Sequence, residues 1–257
     1  MSSLELNQAS DVWTEDSAWK SLYKVGGMAA LLAILVGLCE IIISFLPGGS
    51  ASPETIIDWF TLFRNNSFLG LRDLGLLNIF LVALGVLVSF ALYGAHRQVN
   101  KTYATLALIV SILGAAVFYA TNRAFSMLDL SNQYAAATTD GQRMLLAGAG
   151  QAILSVGKSH APGTFIAFFL TEFSSMAMSL VMLRSKIFSN TSAYAGIVGF
   201  GLLVIFEIYS SFMPAVRDVA MIIAMLGGLV SMAWYILVAR RLFQLGQGIL
   251  KEEENRN

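Results

Sequence analysis

The sequence predicts an all-α integral membrane protein built as a bundle of six transmembrane helices. Of its 257 residues, 56% are hydrophobic and only 12% are charged, and the mean hydropathy is +0.69. Soluble domains average about twice that charged fraction. The chain also contains six separate stretches of the roughly 20 mostly apolar residues that a helix needs to cross a bilayer. A single membrane domain is therefore expected.

The six apolar cores follow one another along the chain. They lie near residues 25–46, 74–95, 102–121, 162–183, 193–213 and 219–239. We expect a polar N-terminal segment at residues 1–22, the six-helix domain at residues 23–245 and a polar tail at residues 246–257. The N-terminal segment lacks the basic start and short apolar core of a cleavable signal peptide, so the first span is expected to be retained.

Lysine and arginine indicate the orientation, because they are enriched in short cytoplasmic loops. With both termini inside, ten of the sixteen basic residues lie on the cytoplasmic side and six lie outside. The sequence thus predicts a multi-pass cell-membrane protein with cytoplasmic N and C termini. Sixteen acidic residues balance the sixteen basic ones, so no bulk charge indicates nucleic acid as a partner. Membrane lipid is the expected surrounding partner.

Two long connections then lie outside and are predicted to contain short surface helices. In residues 51–66, Ser52 is a suitable N-cap and Pro53 suits the first helical position. Three apolar residues would share one face of that helix: Ile56, Phe60 and Phe63. In the second connection, Asp140 is a suitable cap for a helix too short and too polar to span. Both helices are expected to lie on the membrane surface or over the outer end of the bundle.

A short pattern occurs twice and predicts an internal repeat. The stretches CEIIISFLP (residues 39–47) and FEIYSSFMP (residues 206–214) agree at five of nine positions. Each is followed by an Arg-Asp pair that opens the next apolar segment, and on a helix each glutamate shares a face with the serine four residues later. Hairpins 1–2 and 5–6 are therefore predicted to be parallel copies.

Polar residues gather at the outer ends of the predicted spans. A charge at a helix centre costs about 2.5–3.5 kcal/mol, so these carboxylates are expected to face inward. The simplest arrangement pairs Glu40 with Arg72, Glu207 with Arg217 and Glu172 with Arg123 around a polar cavity. Purely structural ion pairing is one alternative, and a Glu172 that takes up and releases a proton is another. The candidate ligand-binding residues are Glu40, Ser44, Arg72, Asp73, Asn78, Asn122, Arg123, Glu172, Glu207, Ser211, Arg217 and Asp218.

Metal and cofactor chemistry has little support in the composition. The chain has one cysteine, Cys39, and two histidines, His96 and His160. These are too few for a cysteine-rich or three-histidine metal site. No metal site and no cofactor are expected, and no catalytic set is identified.

The stretch MLRSKIFSNTSAYAGIVGFGLLVIFEI (residues 182–208) resembles a large bacterial and archaeal family of uncharacterised six-span membrane proteins. In that family a leucine-rich helix ends in an Arg-Ser turn and a glycine-studded helix follows. The resemblance implies the six-helix fold and no particular activity.

Three functions stay open at this point. The first is binding or transport of a small polar or zwitterionic molecule, or of a lipid headgroup, in a charged cavity open to the outside. The second is an enzyme at the outer leaflet with Glu172 as general base. The third is a ligand-free assembly or regulatory subunit whose outer charges meet a protein partner, with Trp59 and Arg143 as contact candidates.

Overall fold

The structure, a computed structural model, describes residues 3–46 and 53–248, and the side chains of that part from Trp19 onward except that of Arg217. Turns separate helices along these residues, and no strand occurs among them. The helices are α1 (Ser3–Phe45), α2 (Ile56–Asn65), α3 (Ser67–Asp73), α4 (Leu76–His96), α5 (Lys101–Thr121), α6 (Ala124–Ala136), α7 (Asp140–Gly157), α8 (Phe165–Ser185), α9 (Asn190–Phe212) and α10 (Arg217–Gln247).

Within residues 3–46 and 53–248, six helical segments are long and apolar enough to cross a membrane, which confirms the predicted six-span fold. They belong to α1, α4, α5, α8, α9 and α10, and the third segment continues from α5 into α6. Helix α1 begins at Ser3, so the polar N-terminal segment and the first span form one continuous helix. The predicted domain boundaries stay a prediction.

The six spans form a closed ring. In order around it, α1 packs against α4, α4 against α5, α5 against α8, α8 against α9, and α9 against α10, which returns to α1. Helix α4 also touches α8 across the ring. Small residues allow the helices to approach one another closely. Met178, Phe200 and Trp234 are buried in the main core cluster.

The contact of α8, α9 and α10 depends on a glycine. A β-carbon at Gly196 would overlap the Oγ of Ser179 and lie 2.5 Å from Nε1 of Trp234. Both neighbours are fully or almost fully buried, so neither can move into free space. Close backbone approach at small residues is a common basis of helix packing in membranes.

We expect Gly196→Val to lower the free energy of unfolding by about 1–3 kcal/mol, because overpacking forces neighbouring side chains out of their rotamers. The measurement is reversible unfolding in mixed micelles. Gly85→Val on α4 is the matched control, because a β-carbon there meets no atom within 4 Å. Equal losses for the two variants would contradict the packing role of Gly196.

Short helices cover one end of the ring, which we call the capped end. Helices α2, α3, α6 and α7 pack on one another there, around a cluster formed by Trp59, Phe60, Phe63, Leu74, Ala124 and Met127. Trp59 is buried, so it is not an exposed contact for a protein partner. At the other end, Arg97 lies 4.0 Å over the ring of Trp19, and the N-terminal half of α1 meets the end of α10 near Gly246.

The predicted caps of the two surface helices need correction. Ser52 lies outside the described residues, and Pro53 precedes α2 instead of opening it, because Thr55 is the N-cap. Thr55 Oγ1 accepts from the Asp58 amide at 3.2 Å, and the Asp58 carboxylate accepts from the Thr55 amide at 2.8 Å. These bonds to Thr55 lower the pKa of Asp58. Thr139 likewise caps α7, so Asp140 is its first helical residue.

Candidate functional site

Two neighbouring cavities lie at the capped end. The larger one, which we call the vestibule, has a volume of about 620 Å³ and is lined largely by polar residues. They include Glu40, Glu54, Arg72, Asp73, Lys158 and Ser159. The smaller one, the inner chamber, has a volume of about 250 Å³ and contains Glu172 among mostly apolar and aromatic side chains. Asn78 and His160 line both cavities.

Arg72 on α3 forms ion pairs with two acidic residues that line the vestibule. Its guanidinium is buried, with Nη2 2.6 Å from Glu40 Oε1 and Nη1 3.1 Å from Asp73 Oδ1. Nη2 also donates to the Glu40 carbonyl at 3.3 Å and to Ser44 Oγ. The structure thus contains the predicted pair of Glu40 and Arg72, which ties α1 to α3.

Glu207 on α9 has a histidine as its partner, where the sequence suggested Arg217. Its side chain is fully buried, and His160 Nδ1 lies 2.7 Å from Glu207 Oε2. Ser211 donates to the other carboxylate oxygen at 3.4 Å. Among the described side chains, the two glutamates of the predicted repeat have different partners, and the suggested contact of Glu207 with Arg217 stays a prediction. Because the Arg217 side chain lies outside the described part, the repeat itself stays a prediction.

His160 lies in the turn between α7 and α8, and its ring packs against two phenylalanines. Its backbone has a left-handed φ of 53°, an uncommon conformation for a residue with a side chain. Its ring stacks on Phe168 at a centroid distance of 4.3 Å and packs against Phe206 at 5.0 Å. A histidine nitrogen bound by a carboxylate fixes the ring orientation and leaves the other nitrogen for a second partner. That second nitrogen, Nε2, has no hydrogen bond to any described residue.

Glu172 on α8 differs from the other two glutamates. Its Oε2 is buried and makes no hydrogen bond within the described part of the protein. The suggested pair with Arg123 is not formed. Arg123 instead precedes α6 and donates to the Asn122 carbonyl at 3.4 Å. Buried polar atoms normally have a partner, so this exception requires a physical explanation.

The remaining predicted residues divide into two groups. Asn78 lines the cavities, and Ser44 and Ser211 bond the residues around Glu40 and Glu207. Asn122 instead donates to the Leu74 carbonyl at 3.1 Å and accepts from the Ala124 amide at 3.2 Å. Asp218 is exposed in the first turn of α10. Asn122, Arg123 and Asp218 are absent from the described lining of both cavities.

Several lining residues were missed in the sequence. His160, Ser159 and Lys158 form the polar turn GKSHAPG before α8, where the sequence indicates only an ordinary loop. Thr171 and Ser175 line the inner chamber, and Thr171 lies one position before Glu172 on the same helix. Within the described residues, no three His, Cys, Asp or Glu side chains come close enough to hold a metal ion.

The fold defines a multi-pass membrane protein whose six apolar helices enclose polar side chains at one end. The family model described as Domain of unknown function (DUF4386) matches residues 25–239. The chain therefore belongs to the DUF4386 family, and its resemblance to an uncharacterised membrane-protein family is confirmed. No curated protein and no solved structure matches the chain.

Proposed function

We propose that the protein binds or transports a small polar or zwitterionic molecule, or a lipid headgroup, in the vestibule and the inner chamber. One observation carries this proposal: Asn78 and His160 line both cavities. The polar vestibule and the deeper chamber therefore adjoin at these two side chains. Ligand sites of membrane bundles commonly lie between helices in such a position.

The capped end is proposed to face the extracytoplasmic side. The opposite end carries Lys20, Lys24, Arg97, Arg184, Arg240 and Arg241, and positive loops tend to stay in the cytoplasm. In that orientation the vestibule opens to the outside and both termini are cytoplasmic.

The vestibule is suited to a molecule with groups of both signs. Arg72 is already paired with Glu40 and Asp73, whereas Lys158 and Glu54 line the same cavity without an ion pair to any described residue. A ligand with both an acidic and a basic group can therefore interact with charges that the protein does not satisfy itself. Such charge complementarity favours specificity more than affinity.

Native mass spectrometry of the detergent-purified protein tests the proposal. We expect a small molecule or lipid to remain on the wild-type protein and to be lost from Glu172→Gln, which keeps the side-chain size but removes the carboxylate. The matched control is Asp129→Asn, which alters an exposed carboxylate on α6. This control should keep the ligand.

Absence of any bound species from both wild type and Glu172→Gln, with the variant only less stable, would contradict a ligand site. The buried charges would then act as structural ion pairs. Loss of the ligand from Asp129→Asn as well would also contradict a specific site in the inner chamber.

An enzyme is the second candidate, and the contact of His160 with Glu207 favours it. A carboxylate bonded to Nδ1 fixes the orientation of the imidazole and leaves Nε2 to accept a proton. This geometry makes His160 a better general-base candidate than Glu172, whose Oε2 has no hydrogen-bond partner among the described residues. The test is incubation with lipid extract followed by mass analysis of products. Conversion that is lost in His160→Gln, while ligand retention persists, would favour the enzyme.

A further inference from the structure

We infer that the inner chamber binds the ammonium group of a small organic cation, with Glu172 as its counter-ion. This inference rests on the proposed ligand-binding function and names the chemical class that the site would take. It also assigns the three glutamates different roles: only Glu172 contacts the ligand, whereas Glu40 and Glu207 hold the protein together.

The first argument is the balance of charges at the capped end. Glu40 lies 2.6 Å from Arg72, and Glu207 lies 2.7 Å from His160. Glu172 has no such partner among the described residues, and its Oε2 is buried. A buried carboxylate without a partner is costly, so it is neutralised by a proton or by a cation. A cavity beside it gives room for the cation.

The second argument is the lining of the inner chamber. Phe168, Phe200 and Tyr235 line it together with Thr171 and Ser175. Aromatic faces attract organic ammonium ions when water is excluded. Glu172 is the single acidic residue in the described lining, whereas divalent cations prefer several oxygen ligands with more than one carboxylate. One carboxylate among aromatic rings therefore favours an organic monocation.

The third argument is size. At about 30 Å³ for each water, a chamber of about 250 Å³ has the volume of roughly eight water molecules. That is enough for an ammonium group with a few carbon atoms. The rest of a larger ligand would extend past His160 into the vestibule, where Lys158 is available for an acidic group.

Matched pairs of charged and uncharged probes test this inference on the wild-type protein. The pairs are choline with its carbon isostere dimethylbutanol, and ethanolamine with propanol. We expect at least one ammonium probe to bind saturably, by calorimetry and by a shift in melting temperature. Its neutral isostere should bind roughly tenfold or more weakly, as loss of an ion pair and a cation–π contact implies.

Two variants test whether the preference for the ammonium probe over its neutral isostere depends on the Glu172 carboxylate. Glu172→Gln should abolish the difference between the charged probe and its isostere. Asp129→Asn should preserve the difference. Because the comparison of probes uses wild-type protein, it remains decisive if Glu172→Gln folds poorly.

The outcomes separate this inference from the broader proposal. Equal binding of a probe and its isostere, or no saturable binding of either ammonium probe, would overturn the inference. Recovery of a native ligand that lacks a cationic group would also overturn it while leaving the proposed ligand-binding function intact. Absence of any ligand in native mass spectrometry would contradict the proposed function itself.

Discussion

Replacement of Glu207 by alanine is expected to lower the free energy of unfolding by about 2–3 kcal/mol. The substitution removes a fully buried carboxylate and leaves His160 Nδ1, now 2.7 Å from that carboxylate, without its partner. Loss of a charge-assisted hydrogen bond in a buried site costs more than loss of an exposed one. The turn between α7 and α8 should also lose its anchor to α9. Reversible unfolding in mixed micelles measures the change.

The effect should extend to the cavities, because His160 lines both of them. We expect Glu207→Ala to release the ligand retained by the wild-type protein. Glu207→Gln should be milder, since an amide oxygen can still accept from Nδ1. A double-mutant cycle with His160→Ala isolates the coupling between the two side chains. Additive losses in that cycle would show that the pair does not stabilise the turn.

Replacement of Arg72 by alanine is expected to lower the free energy of unfolding by about 2–3 kcal/mol, because Arg72 is buried whereas 38% of the Glu40 side-chain surface is exposed. The guanidinium is buried and contacts both Glu40 and Asp73. Its removal would leave two neighbouring carboxylates without a shared cation. Breaking a buried pair by removing one partner costs far more than the net contribution of the intact pair, because the remaining charge is uncompensated. Unfolding in mixed micelles again measures the loss.

The double substitution of Arg72 and Glu40 by alanine should recover part of that loss, because one of the uncompensated charges is then absent. The control is Arg143→Ala on α7, whose contact with Asp140 is 3.6 Å long and exposed. An exposed pair of this kind contributes about 0–1 kcal/mol. A loss for Arg72→Ala no larger than that for Arg143→Ala would contradict the buried ion pair.

The contact between Glu40 and Arg72 was predicted correctly from the sequence, because the two residues lie on segments that follow one another along the chain. The sequence suggested that Arg72 and Asp73 open the second span, whereas the structure places them in the last turn of α3. The pair of Glu40 and Arg72 still forms, because α3 directly precedes α4, the span that packs against α1. The caps were misplaced by one to three positions because several capping residues compete there. At α2, Thr55 is the cap because Asp58 completes the reciprocal bond.

The sequence by itself determined the six spans and the collection of polar residues at one end, because the bilayer requires apolar stretches of a fixed length. Only the tertiary structure decided the partners of the buried glutamates. His160 reaches Glu207 across 47 positions of sequence, and Glu172 Oε2 has no hydrogen bond to any residue that the structure describes. Those contacts depend on how each helix is rotated and on the path of the turn before α8. Hydropathy fixes which segments cross the membrane, but it does not fix their rotation or the path of a polar turn.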